Sequence, residues 1–291
     1  NTVTVATAAT HGMLRGDSVT VSVKPITSKT LTVKYNDYNR RIVINPKSFV
    51  AGDVDIATNT ITLTDHGLVT GDKIIHTATT PSGGLVDNKI YYVIYDTKNK
   101  IKLSSTLYGS KQEFPFVVDI TSASAGTISP INPPVIGYRN NKLVFDLSDS
   151  SLAVVQGIST YSAFKLNFYK DEAKGEAGIR TTSQIFDSTG GSTNFEVYTT
   201  GKVGIDTNAS LTLSINDRVP STLYYEFTVI NKEFLTQEKK DLVVDRQVID
   251  NNQVIINNSL YSGTHVLSGV GTTSFNYELT VVPESSSYIA T

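Results

Sequence analysis

Residues 221–229, STLYYEFTV, place Leu223, Tyr225, Phe227 and Val229 at every second position, with Thr222, Tyr224, Glu226 and Thr228 between them. A period of two sends one set to one face of an extended chain and the other set to the opposite face, as in a half-buried strand. A helix would scatter the same apolar residues around its circumference. The pattern recurs at Val19, Val21 and Val23, at Leu31, Val33 and Tyr35, and at Ile61 with Leu63. It returns at Leu143, Phe145 and Leu147, at Phe164, Leu166 and Phe168, at Leu211, Leu213 and Ile215, and at Phe275, Tyr277, Leu279 and Val281. Gly, Asn, Asp or Ser lies between most of these short runs, which is turn chemistry. Val (30), Ile (24) and Thr (37) make up about 31 % of the 291 residues, against 14 Ala. Side chains stiff at χ1 suit a pleated surface better than a helix. The chain therefore reads as all-β, built of tandem small antiparallel β-sandwich or barrel-like modules.

Charge and composition exclude several classes. Lys plus Arg (25) and Asp plus Glu (27) leave a net charge of −2, so no basic surface is expected and nucleic acid is not expected as a partner. No run approaches the ~20 apolar residues of a membrane helix, and no signal-peptide pattern opens the chain, so membrane insertion is not expected. With no Cys, disulfides, thiol catalysis and thiolate metal sites are excluded. The chain starts in a strand-like pattern at Thr2 and stops without a polar tail at Thr291, which reads as a segment of something longer.

Two windows are candidates for helix. Residues 170–178 are charged but carry Gly175 and Gly178, which favours a loop. Residues 231–241, NKEFLTQEKKD, read either as one short helical turn or as a charged hairpin loop.

One element occurs twice. HGMLRGDSV (11–19) and HGLVTGDKI (66–74) share His-Gly, then Gly-Asp, then a β-branched residue, each after a strand-like run and 55 residues apart. Two readings are open for His11, Gly12, Gly16 and Asp17 and for His66, Gly67, Gly71 and Asp72. In one, the His and Asp of each copy meet across the turn as a chemical pair. Otherwise the element is a strand–loop–strand corner in which Gly supplies a positive φ and Asp bonds nearby backbone. The corner is preferred, because no third ligand or nucleophile recurs in both copies. Composition then divides the chain into units of 1–44, 45–130, 131–248 and 249–291. The linkers are 40–47 (RRIVINPK), 121–134 (TSASAGTISPINPP) and 245–252. The first and last units are short enough to need a neighbour for burial.

Little in the sequence selects chemistry. His11, His66, His76 and His265 show no metal-ligand spacing, and no cofactor or catalytic residue is expected. Asp146, Asp149, Asp171 and Glu172 are clustered carboxylates. The oxygen-rich DLSDSS (146–151) lacks a regular calcium-loop pattern and reads as a turn. Tyr91-Tyr92 and Tyr224-Tyr225 lie within strand patterns, so one of each pair is expected in the core. The other is a candidate for stacking on a sugar or anchoring a protein interface.

The stretch 59–106 carries HGLVTGDKI, then GGL at 83–85, YYVI at 91–94 and IKLS at 101–104. It resembles a module of large virion proteins from contractile-tailed phages of marine cyanobacteria. VKYNDYNRRIVINPKSF (33–49) is similar to the segment that often precedes that module. LVFDLSDSSL (143–152) with STLYYEF (221–227), and LYSGTHVLSGVGTTSFNYELTVVPE (260–284), resemble two further β-modules, with 175–192 as an enlarged loop. The resemblance implies a structural, non-enzymatic component of the tail, baseplate or fibre region of the virion, assembled with copies of itself and other virion proteins. It carries no catalytic residues. The alternative is an adhesin module that binds a receptor or a host surface glycan through outward Tyr and polar loops.

Overall fold

The computed structural model describes residues 2–21, 23–25, 28–169, 196–215, 219, 221–242, 253–257, 263–278 and 288–290. About half the chain is strand, and the helical pieces are single turns. The expected turn within 231–241 is present as two such pieces, Lys232–Phe234 and Gln237–Lys240. The windows 170–178 and 175–192 and the expected linker 245–252 lie in whole or nearly so outside the described residues.

Two sheets face one another as a sandwich. One has the order Glu196–Thr200, Ser210–Ser214, Lys142–Asp146, Lys29–Asn36, Arg41–Ile44. The other has the order Val135–Tyr138, Gln253–Asn257, Thr222–Val229, Phe164–Tyr169. Alternation does what the sequence pattern requires. Leu223, Tyr225 and Phe227 are buried while their neighbours are half exposed, and Leu211 and Leu213 repeat this. Across the interior Phe145 meets Phe168 at 5.6 Å and Tyr225 at 6.4 Å, and Tyr35 meets Phe164 at 4.9 Å between ring centroids. Two pairings are parallel: Lys29–Asn36 with Lys142–Asp146, and Val135–Tyr138 with Gln253–Asn257. Parallel neighbours need a long crossover, and in both cases a large part of the chain intervenes.

A third sheet has the order Lys47–Phe49, Gly126–Pro130, Lys73–Thr77, Lys89–Thr97, Lys100–Ser104, Thr60–Thr62, Val54–Asp55. All seven strands lie within 47–130 and surround a core that includes Ile61, Ile74, Tyr91, Val93, Ile101 and Ile128. This module is inserted between two strands of the sandwich, Arg41–Ile44 and Val135–Tyr138.

A fourth sheet joins the two ends of the chain: Thr2–Ala6, Ser274–Glu278, Gly263–Val270, Ser18–Val21. Tyr288–Ala290 pairs with Val23–Pro25 beside it.

These pairings cut across three expected divisions. Strands from 1–44 are shared between the terminal sheet and the sandwich, and so are strands from 249–291. The segment 40–47 is not a linker: Ile42 and Ile44 enter the sandwich core, while Val43 packs with Ile75 and Ile131 of the inserted module. A strand buried on both faces has no polar alternation to betray it. The segment 121–134 contains the strand Gly126–Pro130, which is bonded on both sides. Its small residues answer a steric need, since a Cβ on Gly126 would sit 2.8 Å from Phe49 Cζ and 2.9 Å from His76 Nε2.

The fully buried Tyr225 fixes the exit from this module. Its hydroxyl donates to the Pro133 carbonyl at 2.7 Å, and burial holds its pKa well above the usual tyrosine range. Tyr225→Phe keeps the ring and leaves that carbonyl without its donor. We expect a loss of roughly 1–3 kcal/mol in urea unfolding with an unchanged far-UV spectrum. Wild-type stability in the variant would refute the assignment.

Candidate functional site

The two HG…GD elements are the same backbone device. In the first, the Asp17 carboxylate accepts the Leu14 amide at 2.8 Å, and the Asp17 amide donates to the Leu14 carbonyl at 3.1 Å. In the second, Asp72 makes both bonds with Val69, at 2.9 and 3.1 Å. Gly16 and Gly71 have φ of +94° and +99°, a region that disfavours any side chain. Each corner is then bonded to a returning strand. The Gly16 amide donates to the Leu267 carbonyl and the Leu267 amide to the Asp17 carbonyl, while Val93 takes the same place for Gly71 and Asp72. The first glycines differ: Gly67 has φ of +65° and Gly12 does not share it.

The histidines anchor the corners to backbone. His66 Nε2 donates to the Thr97 carbonyl at 2.8 Å, a tautomer fixed by Nδ1 accepting the Leu68 amide. His11 Nε2 lies 3.3 Å from the Ser274 carbonyl. Their rings meet Phe275 and Tyr95 edge-on. The polar atoms of the motif therefore serve the turn, and the geometry supports the corner reading.

Environment separates the two copies. The Gly16–Asp17 turn is exposed, whereas Asp72 is only 3 % exposed, because the short helix Leu107–Ser110 and the following Lys111 lie over Gly71. Burial pushes the Asp72 carboxyl up to about 6, opposed by the Val69 amide and Lys111. His76 is fully buried near Phe49 and Tyr91, with Nδ1 on the Val86 carbonyl and Nε2 without a hydrogen-bond partner among the described residues. Burial holds its imidazole below the usual 6.5. His265 stacks on Tyr277 at 4.1 Å.

Among the described residues no three His, Asp or Glu side chains come close enough to hold a metal ion. Asp146 accepts the Ser148 amide and hydroxyl, and Asp149 accepts the Ser151 amide and pairs with Lys34 at 3.0 Å. DLSDSS is thus a pair of local turns. Asp171 and Glu172 lie outside the described residues.

The tyrosine pairs divide by strand parity. Tyr91 and Tyr225 are core residues, with the Tyr91 hydroxyl accepting the Val86 amide, and Tyr92 and Tyr224 are half-buried. The exposed aromatic surface lies elsewhere. Tyr108, Phe114 and Phe116 are 69, 81 and 62 % exposed, with Tyr108 and Phe116 edge-on at 6.3 Å. They belong to the segment whose Leu107 and Lys111 lie over Gly71. Sequence reasoning passed over them because 107–116 has no strand period. The signal was there: FPF at 114–116 is an apolar run in a turn-like segment. A cleft of about 420 Å³ also opens between the edge strands Phe164–Tyr169 and Glu196–Thr200, lined by Leu147, Phe168, Val197, Leu211, Lys165 and Lys202 among others.

Asp72 gives the inserted module a pH signature. Its folded pKa is raised from 3.8 to about 6, so its contribution is fully present below pH 3.8 and is lost as pH rises through 6. His76 has the opposite sign, its depressed pKa making stability fall as pH drops below 6.5. We expect Asp72→Asn to gain on wild type by on the order of 2 kcal/mol between pH 4 and 7 in urea unfolding. Parallel curves for the two proteins would contradict this placement of Asp72.

Comparison with family profiles, with curated proteins and with solved structures gives no match to this chain.

Proposed function

We propose that this chain is a structural component of a tailed-phage virion, in the tail, baseplate or fibre region, acting through contacts between β-modules rather than through catalysis. The sequence resemblance over 59–106 and its companions points to that setting. The observation that carries the mechanical part is the pair of exposed rings Tyr108 and Phe116, edge-on at 6.3 Å, with Phe114 exposed two residues before the second of them. Contiguous exposed aromatic side chains beside polar surface are typical of contact sites between proteins. They stand on a rigid support, because Gly109 packs closely against Phe116 and the Thr106 hydroxyl accepts the Gly109 amide. The partners in this reading are copies of the chain and other virion proteins. The adhesin reading remains the alternative, but neither tyrosine pair forms an exposed stacking platform.

Two measurements test this. Antibodies raised against the chain should label the tail region of purified phage particles. In sedimentation velocity the wild-type chain should self-associate, and the double variant Phe114→Ser, Phe116→Ser should shift to monomer with an unchanged melting curve. Labelling absent from particles, with association unaffected by the double variant, would sink the proposal.

A further inference from the structure

The likeness between the two corners extends through whole sheets. In the inserted module, Thr60–Thr62, Lys100–Ser104, Lys89–Thr97, Lys73–Thr77 and Gly126–Pro130 are neighbours in that order. In the terminal sheet, Thr2–Ala6, Ser274–Glu278, Gly263–Val270 and Ser18–Val21 are neighbours in the same order. Tyr288–Ala290 pairs with Val23–Pro25, the continuation of the last of these.

The registers agree up to a bulge in each hairpin. Ile101 faces Ile61 as Phe275 faces Val5. Val93 faces Leu103 as Leu267 faces Tyr277; the register then shifts after Tyr95 in one hairpin and directly after Leu267 in the other, so that Ile101 faces Tyr95 while Phe275 faces Val270. Tyr91 faces Ile74 and Tyr92 faces Lys73, as His265 faces Val19 and Val266 faces Ser18. The Leu63 amide donates to the Asn99 carbonyl and the Thr7 amide to the Thr273 carbonyl, both at 2.8 Å. Core positions correspond as well: Leu68, Ile74, Val93 and Leu103 in one core, Met13, Val19, Leu267 and Tyr277 in the other. A one-residue slip in any strand would reverse its faces, so the same strand order with matching registers in three of the pairings points to one architecture. The copies differ in where the hairpin bulge falls.

We infer that the described strands of 2–21, 23–25, 263–278 and 288–290 together form a second copy of the module, opened at the hairpin between its second and third strands. In the intact copy that hairpin is the short segment 78–88. In the terminal copy, residues 26–262 take its place, sandwich and inserted module included. The terminal copy is therefore a holder, and the sandwich is presented from its hairpin. Neither terminal segment can complete the sheet alone. This inference does not depend on the virion reading.

Matched substitutions in the full chain test it. Gly16→Ala introduces a Cβ at positive φ with open space around it, so its effect is backbone strain alone. Hydrogen exchange should accelerate roughly 5–30-fold in 2–21 and in 263–278 together, with 60–104 unchanged. Gly71→Ala should accelerate 60–104 and leave 263–278 as in wild type. Acceleration confined to 2–21, or absent from both terminal segments, overturns the inference. A second measurement uses the absence of native Cys. Oxidation should cross-link Ser18→Cys/Val266→Cys as readily as its counterpart Lys73→Cys/Tyr92→Cys. Cross-linking of the second pair without the first overturns the inference equally.

Discussion

Two backbone hydrogen bonds at Leu267, one from the Gly16 amide and one to the Asp17 carbonyl, tie the beginning of this chain to its end. Around them the first strands are bonded to the last, and everything between 26 and 262 is enclosed by that closure. The positive φ of Gly16 is the local condition for the bonds, since the reversal there aims the amide at the returning strand. In the inserted module the same device joins Gly71 to Val93 across a much shorter stretch of chain.

The architecture is consequently nested. The terminal sheet encloses the sandwich, and the sandwich encloses the seven-stranded module through the strand Arg41–Ile44, buried on both faces. Loop closure gives this a thermodynamic meaning. With the intervening chain unfolded, closing the terminal sheet costs roughly 2–3 kcal/mol more than closing the short hairpin of the inserted module. Once the inner units have folded, most of that difference disappears. Folding from the inside outwards is the route that avoids the cost.

Much of the fold was legible because it follows from strand period. Leu223, Tyr225 and Phe227, or Leu211 and Leu213, need one buried face, and the alternation shows it. Arg41–Ile44 and Gly126–Pro130 escaped for opposite reasons. The first has no polar face to alternate with, and the second opens on Gly126, where Phe49 and His76 leave no room for a side chain, and carries the single core residue Ile128. The repeated corner was visible as HG…GD, and its geometry follows from Gly and Asp. The division of one module between the chain ends was not visible, because nothing local in 2–21 names 263–278 as its partner. Lys239 shows the same limit. It reads as a surface charge in QEKK, yet it lies nearly buried over the Tyr35 ring at 4.6 Å, bonded to the Ser151 carbonyl and 3.5 Å from Asp37. The exposed aromatics Tyr108, Phe114 and Phe116 were present in the sequence without a period to draw attention to them.

Single-molecule extension with force applied at the two ends tests the nested account most directly. Force on the ends must break the terminal sheet before it reaches the sandwich, and must open the sandwich before it reaches 47–130. The account predicts a first rupture releasing only the terminal segments, on the order of 170 Å of extended chain, and a last one of on the order of 280 Å from the innermost module. Ends that extend freely, with no rupture before the sandwich opens, would contradict it.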